Sequence, residues 1–141
     1  MHKLPALSDL MAYENTAVIR QFCREYSHTD DEAARQLFRD LMGWMWLSVY
    51  RLQHDIKTHM IAPLIELDKM WHIFILHTRD YTKFCENYFG TYFHHEVEDS
   101  DDAYEISGDA LSEFLSQCYD YLGEEWIMRY FSHLLQHEDP Q

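Results

Sequence analysis

The sequence predicts an all-α protein, a single-domain bundle of about six helices over residues 1–141. Three observations carry that prediction. Glycine (4) and proline (3) are scarce, which suits long helices and short connections rather than a many-turned β fold. Apolar residues recur at three- and four-residue spacing in segment after segment. Residues that cap helices stand where those segments begin. With 47% hydrophobic and 16% aromatic residues, the chain can bury a core of its own.

The first helix is expected to be capped by Ser8 or Asp9, to carry Leu10, Ala17, Val18, Phe22 and Tyr26, and to end near Ser27 and His28. Thr29 and Glu32 have the spacing of a capping box. They should open a long, central helix through Leu37, Phe38, Leu41, Met45, Trp46 and Val49. Pro63 suits the first turn of the next helix, which holds Leu64, Leu67, Met70, Trp71 and Phe74. Thr78 reads as a new cap, with Asp80 in the first turn and Gly90 as the stop. Asp109 should cap a helix ending at Gly123, and Glu124 opens the last one.

Charge narrows the function classes. There are 25 acidic residues against 11 basic ones, for a formal charge of −14. Such a chain lacks the basic stripe that neutralises phosphates, so no nucleic-acid partner is expected, and no anionic membrane surface. The N-terminus has no long apolar run, and no stretch reaches about 18 uninterrupted apolar residues, so neither a secretory signal peptide nor a transmembrane segment is expected. The predicted location is cytoplasmic. Cys23, Cys85 and Cys118 are odd in number and widely spaced, and read as reduced thiols. Residues 96–109 are half acidic. Such a run is ordinarily a solvated loop. It lacks calcium-loop spacing, and it is the segment through which a protein partner would be met.

The chemistry concentrates between Leu67 and His95. Asp68 and His72 are four apart on one predicted helix and share a face. There they can grip one cation, or the carboxylate can orient the imidazole. His77, about 140° round the same helix, is a poor companion. His94 and His95 follow the Gly90 stop and can return over the helix that carries Asp68 and His72. Asp68, His72, His94 and His95 thus form a candidate ligand set for a divalent metal, zinc first, then iron or manganese. Trp71, Tyr81 and Cys85 are supporting residues. The commoner role for such an Asp–His pair is a plain hydrogen bond. Cys85 with a nearby histidine offers a thiol nucleophile, but its helical phase suits the core better.

The run Met70-Trp71-His72-Ile73-Phe74-Ile75-Leu76, followed by Tyr81, Cys85, Gly90 and the His94-His95 pair, resembles the glycine-rich-domain-containing-protein-like family, including its small bacterial members. Asp68, Trp71, His72, Tyr81, Cys85, Gly90 and His95 fall on that family's signature positions. The resemblance implies a site but no assigned reaction. Plant-type members often carry a second histidine where Phe74 stands here. Two readings follow from the sequence. One is a metal-binding or polar pocket built on Asp68, His72, His94 and His95. The other is a protein interaction module, an effector or adaptor, with structural histidines and an acidic loop.

Overall fold

The computed structural model describes residues 1–95 and 107–136, with backbone alone for 134–136. Among them are seven α-helices, one 3-10 turn and no strand. The helices are α1 (Leu7–Met11), α2 (Thr16–Glu25), α3 (Asp31–Leu52), α4 (Ile65–Leu76), α5 (Thr78–Phe89), α6 (Gly108–Leu122) and α7 (Glu124–Gln136). The 3-10 turn, Ala62–Leu64, holds Pro63 and leads straight into α4. The all-α expectation holds, with one helix more than the six expected. No helix among the described residues is long and apolar enough to cross a membrane.

The extra helix comes from a break in the first expected one. Asn15 is extended, and its side chain accepts from Val18 N at 3.1 Å, so it caps α2 afresh. The same carboxamide donates to Asp80 Oδ2 at 3.0 Å and to the Tyr13 hydroxyl at 3.2 Å. Four expected caps are shifted by one to three residues: α1 starts from Ala6 rather than Ser8 or Asp9, and α5 from His77 rather than Thr78, neither with a side-chain cap bond. α3 is capped by Asp30, which accepts from Ala33 N at 2.8 Å, rather than by Thr29. α6 is capped by Ser107 rather than Asp109, which instead lies in the first turn. For α3 and α6 a second residue of equal capping ability stands close by in the chain, and either could satisfy the orphan N–H groups of the first turn.

The chain falls into two compact units. The first comprises Met1–Thr58 and Glu66–Val97. Its axis is α3, where Phe38, Leu41, Met42, Trp44 and Met45 are buried, with α1 and α2 packed on it. Phe74 of α4 sits at the centre of an aromatic cluster with Phe38, Tyr81 and Phe84 at ring distances of 4.9–5.4 Å. The N-terminal segment is strapped to this unit. Lys3 N donates to Phe89 O at 2.8 Å, and Trp46 Nε1 donates to Pro5 O at 2.8 Å.

α5 ends where Gly90 takes a left-handed conformation at φ 76°. A Cβ built there would also stand 3.4 Å from Lys3 Cγ. Gly90→Ala should therefore lower stability by about 1–2 kcal/mol, the usual cost of a side chain in this region. That corresponds to a fall of roughly 3–8 °C in the thermal midpoint. An unchanged midpoint would show that the turn re-forms without the left-handed residue.

The second unit comprises His59–Ile65 and Glu98–Gln141. Within it α6 and α7 pack as a hairpin turned at Gly123, with α7 also against the 3-10 turn. Phe114 and Cys118 of α6, Trp126, Ile127 and Phe131 of α7, and Leu64 of the turn are its buried residues together with Ile61. The acidic run falls outside the described residues from 96 to 106. Its last three residues, Ser107–Asp109, form the exposed start of α6.

Candidate functional site

The site is assembled on α4. Asp68 and Trp71 are three residues apart, so they project from neighbouring positions on one face of the helix. The chain then turns through α5 and returns as a segment that is neither helix nor strand, Tyr92–His95. Along it Phe93 is buried, His94 exposed and His95 half-buried.

His95 meets both residues of α4. Its Nε2 lies 2.6 Å from Asp68 Oδ1, and its ring stacks on the Trp71 indole at 4.1 Å with an interplanar angle of 29°. An ionised carboxylate only accepts hydrogen bonds, so the imidazole carries its proton on Nε2 and donates it to Asp68. The two side chains are 24% and 29% exposed, mostly covered yet within reach of solvent.

A buried relay holds this arrangement from below. Trp71 Nε1 donates to the Tyr81 hydroxyl at 3.0 Å. That hydroxyl donates to Phe93 O at 2.5 Å, and Phe93 N donates to Cys85 Sγ at 3.4 Å. Both polar groups of Phe93 are thus satisfied by α5 side chains, which fixes the direction of the segment two residues before His95. On the far side His2 Nε2 lies 3.2 Å from Tyr92 O. The Phe93 ring fills the space between Trp44, Trp71 and Phe89.

Of the four expected ligands, the structure brings together Asp68 and His95. His72 is exposed on α4, and exposed His94 turns edge-on to Tyr92 with ring centroids 4.6 Å apart. Among the described residues no three His, Cys, Asp or Glu side chains are grouped to hold a metal ion. Trp71, Tyr81 and Cys85 lie directly beneath the pair. His77 lies elsewhere, with Nε2 2.7 Å from Gln21 Oε1. The sequence reading missed Phe93, whose backbone is the point the relay grips. Its apolar character between two turn-forming stretches is the only local sign of that role.

Burial pushes the Cys85 thiol above its ordinary value of 9.0 and the Tyr81 phenol far above its ordinary 10.0. Cys85 is therefore a thiol packed in the core, not an activated thiolate. Above those ordinary values the unfolded chain releases protons that the folded chain retains, so stability falls as pH rises. Urea unfolding should show this contribution fully present below pH 9.0 and lost progressively above it. Cys85→Ser should make the alkaline decline shallower. An identical pH profile for that variant would remove Cys85 from the account.

A family model described as UCP032817-like matches residues 9–120, a span that includes every residue of the site and of the relay beneath it. No curated protein and no solved structure matches the chain.

Proposed function

The chain belongs to the UCP032817-like family, an uncharacterised one, and from that premise we propose that it is a binding protein for a small polar ligand. Its site is the Asp68–His95 pair on the face of Trp71. The observation that carries this reading is the 2.6 Å bond between a carboxylate and an imidazole stacked on an indole, at a position still open to solvent. A histidine serving only the core would be covered. One serving only solubility would not be oriented by a carboxylate, an indole and a buried relay together.

Kinship with glycine-rich-domain-containing-protein-like sequences is part of the same proposal. It rests on Asp68, Trp71, His72, Tyr81, Cys85, Gly90 and His95. Divalent metal is the competing ligand class. Asp68 and His95 supply two donors, and His72, one helical turn from Asp68, is the nearest candidate for a third.

The test is a titration of wild-type protein and Asp68→Asn with acetate, inorganic phosphate, methylammonium, methylguanidinium, imidazole and zinc chloride. The signals followed are the Trp71 indole N–H and the His95 ring by NMR. At least one compound should shift both signals in the wild type and neither in Asp68→Asn. Silence from the whole panel would overturn the reading. Zinc shifting His72 and His95 together at one equivalent would replace it with the metal reading.

A further inference from the structure

His95 occupies the site in the manner of a ligand. It is a flat ring with a nitrogen-bound proton. It covers the face of Trp71 at 4.1 Å and donates to Asp68 at 2.6 Å. Remove the His95 side chain, and what remains on α4 is an aromatic face beside a carboxylate, three residues apart on one helix. That pair is complementary to a delocalised planar cation. The indole face attracts positive charge through its quadrupole, and the carboxylate accepts from in-plane N–H groups. The net charge of the chain, −14, favours the same class.

We propose that Asp68 and Trp71 form a recognition site for a planar nitrogen cation, a guanidinium or an imidazolium, and that His95 is its displaceable internal occupant. This deepens the ligand-binding reading above and rests on it. His95 stands two residues past Phe93, where the relay from Tyr81 and Cys85 grips the backbone. Displacement of the His95 side chain therefore leaves the Phe93 anchor in place. An intramolecular occupant competes at an effective concentration on the order of millimolar. An incoming cation must overcome that, so the affinity of the wild type is set by His95 as well as by the site.

The experiment uses the full chain with His95→Ala and with the double substitution Asp68→Asn/His95→Ala. Each is titrated with methylguanidinium, imidazolium and methylammonium while the Trp71 indole N–H is followed by NMR. In His95→Ala, methylguanidinium and imidazolium should bind with a dissociation constant on the order of 1 mM. They should also raise the thermal midpoint. Binding should be at least roughly tenfold weaker in the wild type, and absent in the double variant. A capped peptide carrying one arginine, set against its lysine counterpart, separates a protein side chain from a free small molecule as the source of the cation. Should His95→Ala not fold, wild-type protein gives the same answer. Methylguanidinium should then abolish the downfield resonance expected of a His95 Nε2 proton held 2.6 Å from Asp68 Oδ1, and methylammonium should not.

Equal binding of methylammonium, or equal binding by the double variant, would overturn the inference. If acetate or phosphate shifts the site while planar cations do not, the inference fails and the ligand-binding reading stands; if only zinc binds, through His72 and His95 together, both give way to the metal reading. If nothing in either panel binds, both fail.

Discussion

Trp71→Ala should destabilise the first unit by about 3–5 kcal/mol, the usual range for truncating a buried tryptophan. The indole is 3% exposed and touches three other rings. Trp44 lies at 5.1 Å, Phe93 at 5.4 Å in a nearly parallel stack, and His95 at 4.1 Å. Its removal leaves a void beneath the Asp68–His95 pair and frees the ring that the pair rests on. Against a typical total of roughly 5–15 kcal/mol this is a large fraction. Urea unfolding followed by circular dichroism measures it. Trp71→Phe separates packing from hydrogen bonding. It keeps most of the apolar volume and loses the N–H, so about 1–2 kcal/mol is expected. In Trp71→Ala the downfield His95 Nε2 proton signal should also disappear, because the histidine loses its platform. Equal losses in the two variants would mean that the indole acts only through its N–H.

How much of this was legible beforehand differs between helices and site. The long apolar periodicities fixed the main helical segments, because burial of one stripe is a property of the segment itself. The break at Asn15 was harder to read. Asn15 is itself a good cap, but the apolar spacing continues through it undisturbed, and its bond to Asp80 spans sixty-five positions. The caps at Asp30 and Ser107 were off by one or two residues for a different reason. Adjacent residues compete for one role on nearly equal terms.

At the site, helical spacing brought out Asp68 but paired it with His72, one turn further on. On α4 the structure sets Trp71, read from the sequence as a supporting residue, beside Asp68 under the His95 ring. Which of two adjacent histidines turns inward was a question of phase. The contacts of the returning segment answer it: Phe93 is buried, His95 meets Asp68 and Trp71, and His94 is exposed. The burial of Phe93 is settled by Trp44, Trp71 and Phe89 from three separate helices. No local pattern announces that. The reach of Tyr81 to Trp71 likewise depends on the corner between α4 and α5, where His77 N bonds Phe74 O at 3.0 Å.

Tyr81→Phe tests that corner most directly, and it should have the second largest effect. The substitution removes one oxygen atom from a fully buried side chain, so almost no cavity results. What it removes is the middle of the relay. Trp71 Nε1 loses its acceptor, and Phe93 O loses its donor. Each buried group left without a partner costs about 1–3 kcal/mol, so a combined loss of roughly 2–5 kcal/mol is expected. Trp44 Nε1 is already buried without a hydrogen-bond partner among the described residues. This unit therefore carries one such defect, and a second indole in the same state, 5.1 Å away, has little slack to draw on. The effect should not stop at stability. With Phe93 O released, the segment loses the bond that aims His95 at Asp68. The downfield Nε2 proton signal should broaden or vanish in Tyr81→Phe even at temperatures where the protein remains folded. Loss of stability with that signal intact would show that Tyr81 supports the core alone. An unchanged stability would show that water replaces the hydroxyl and that the relay is not what holds the segment.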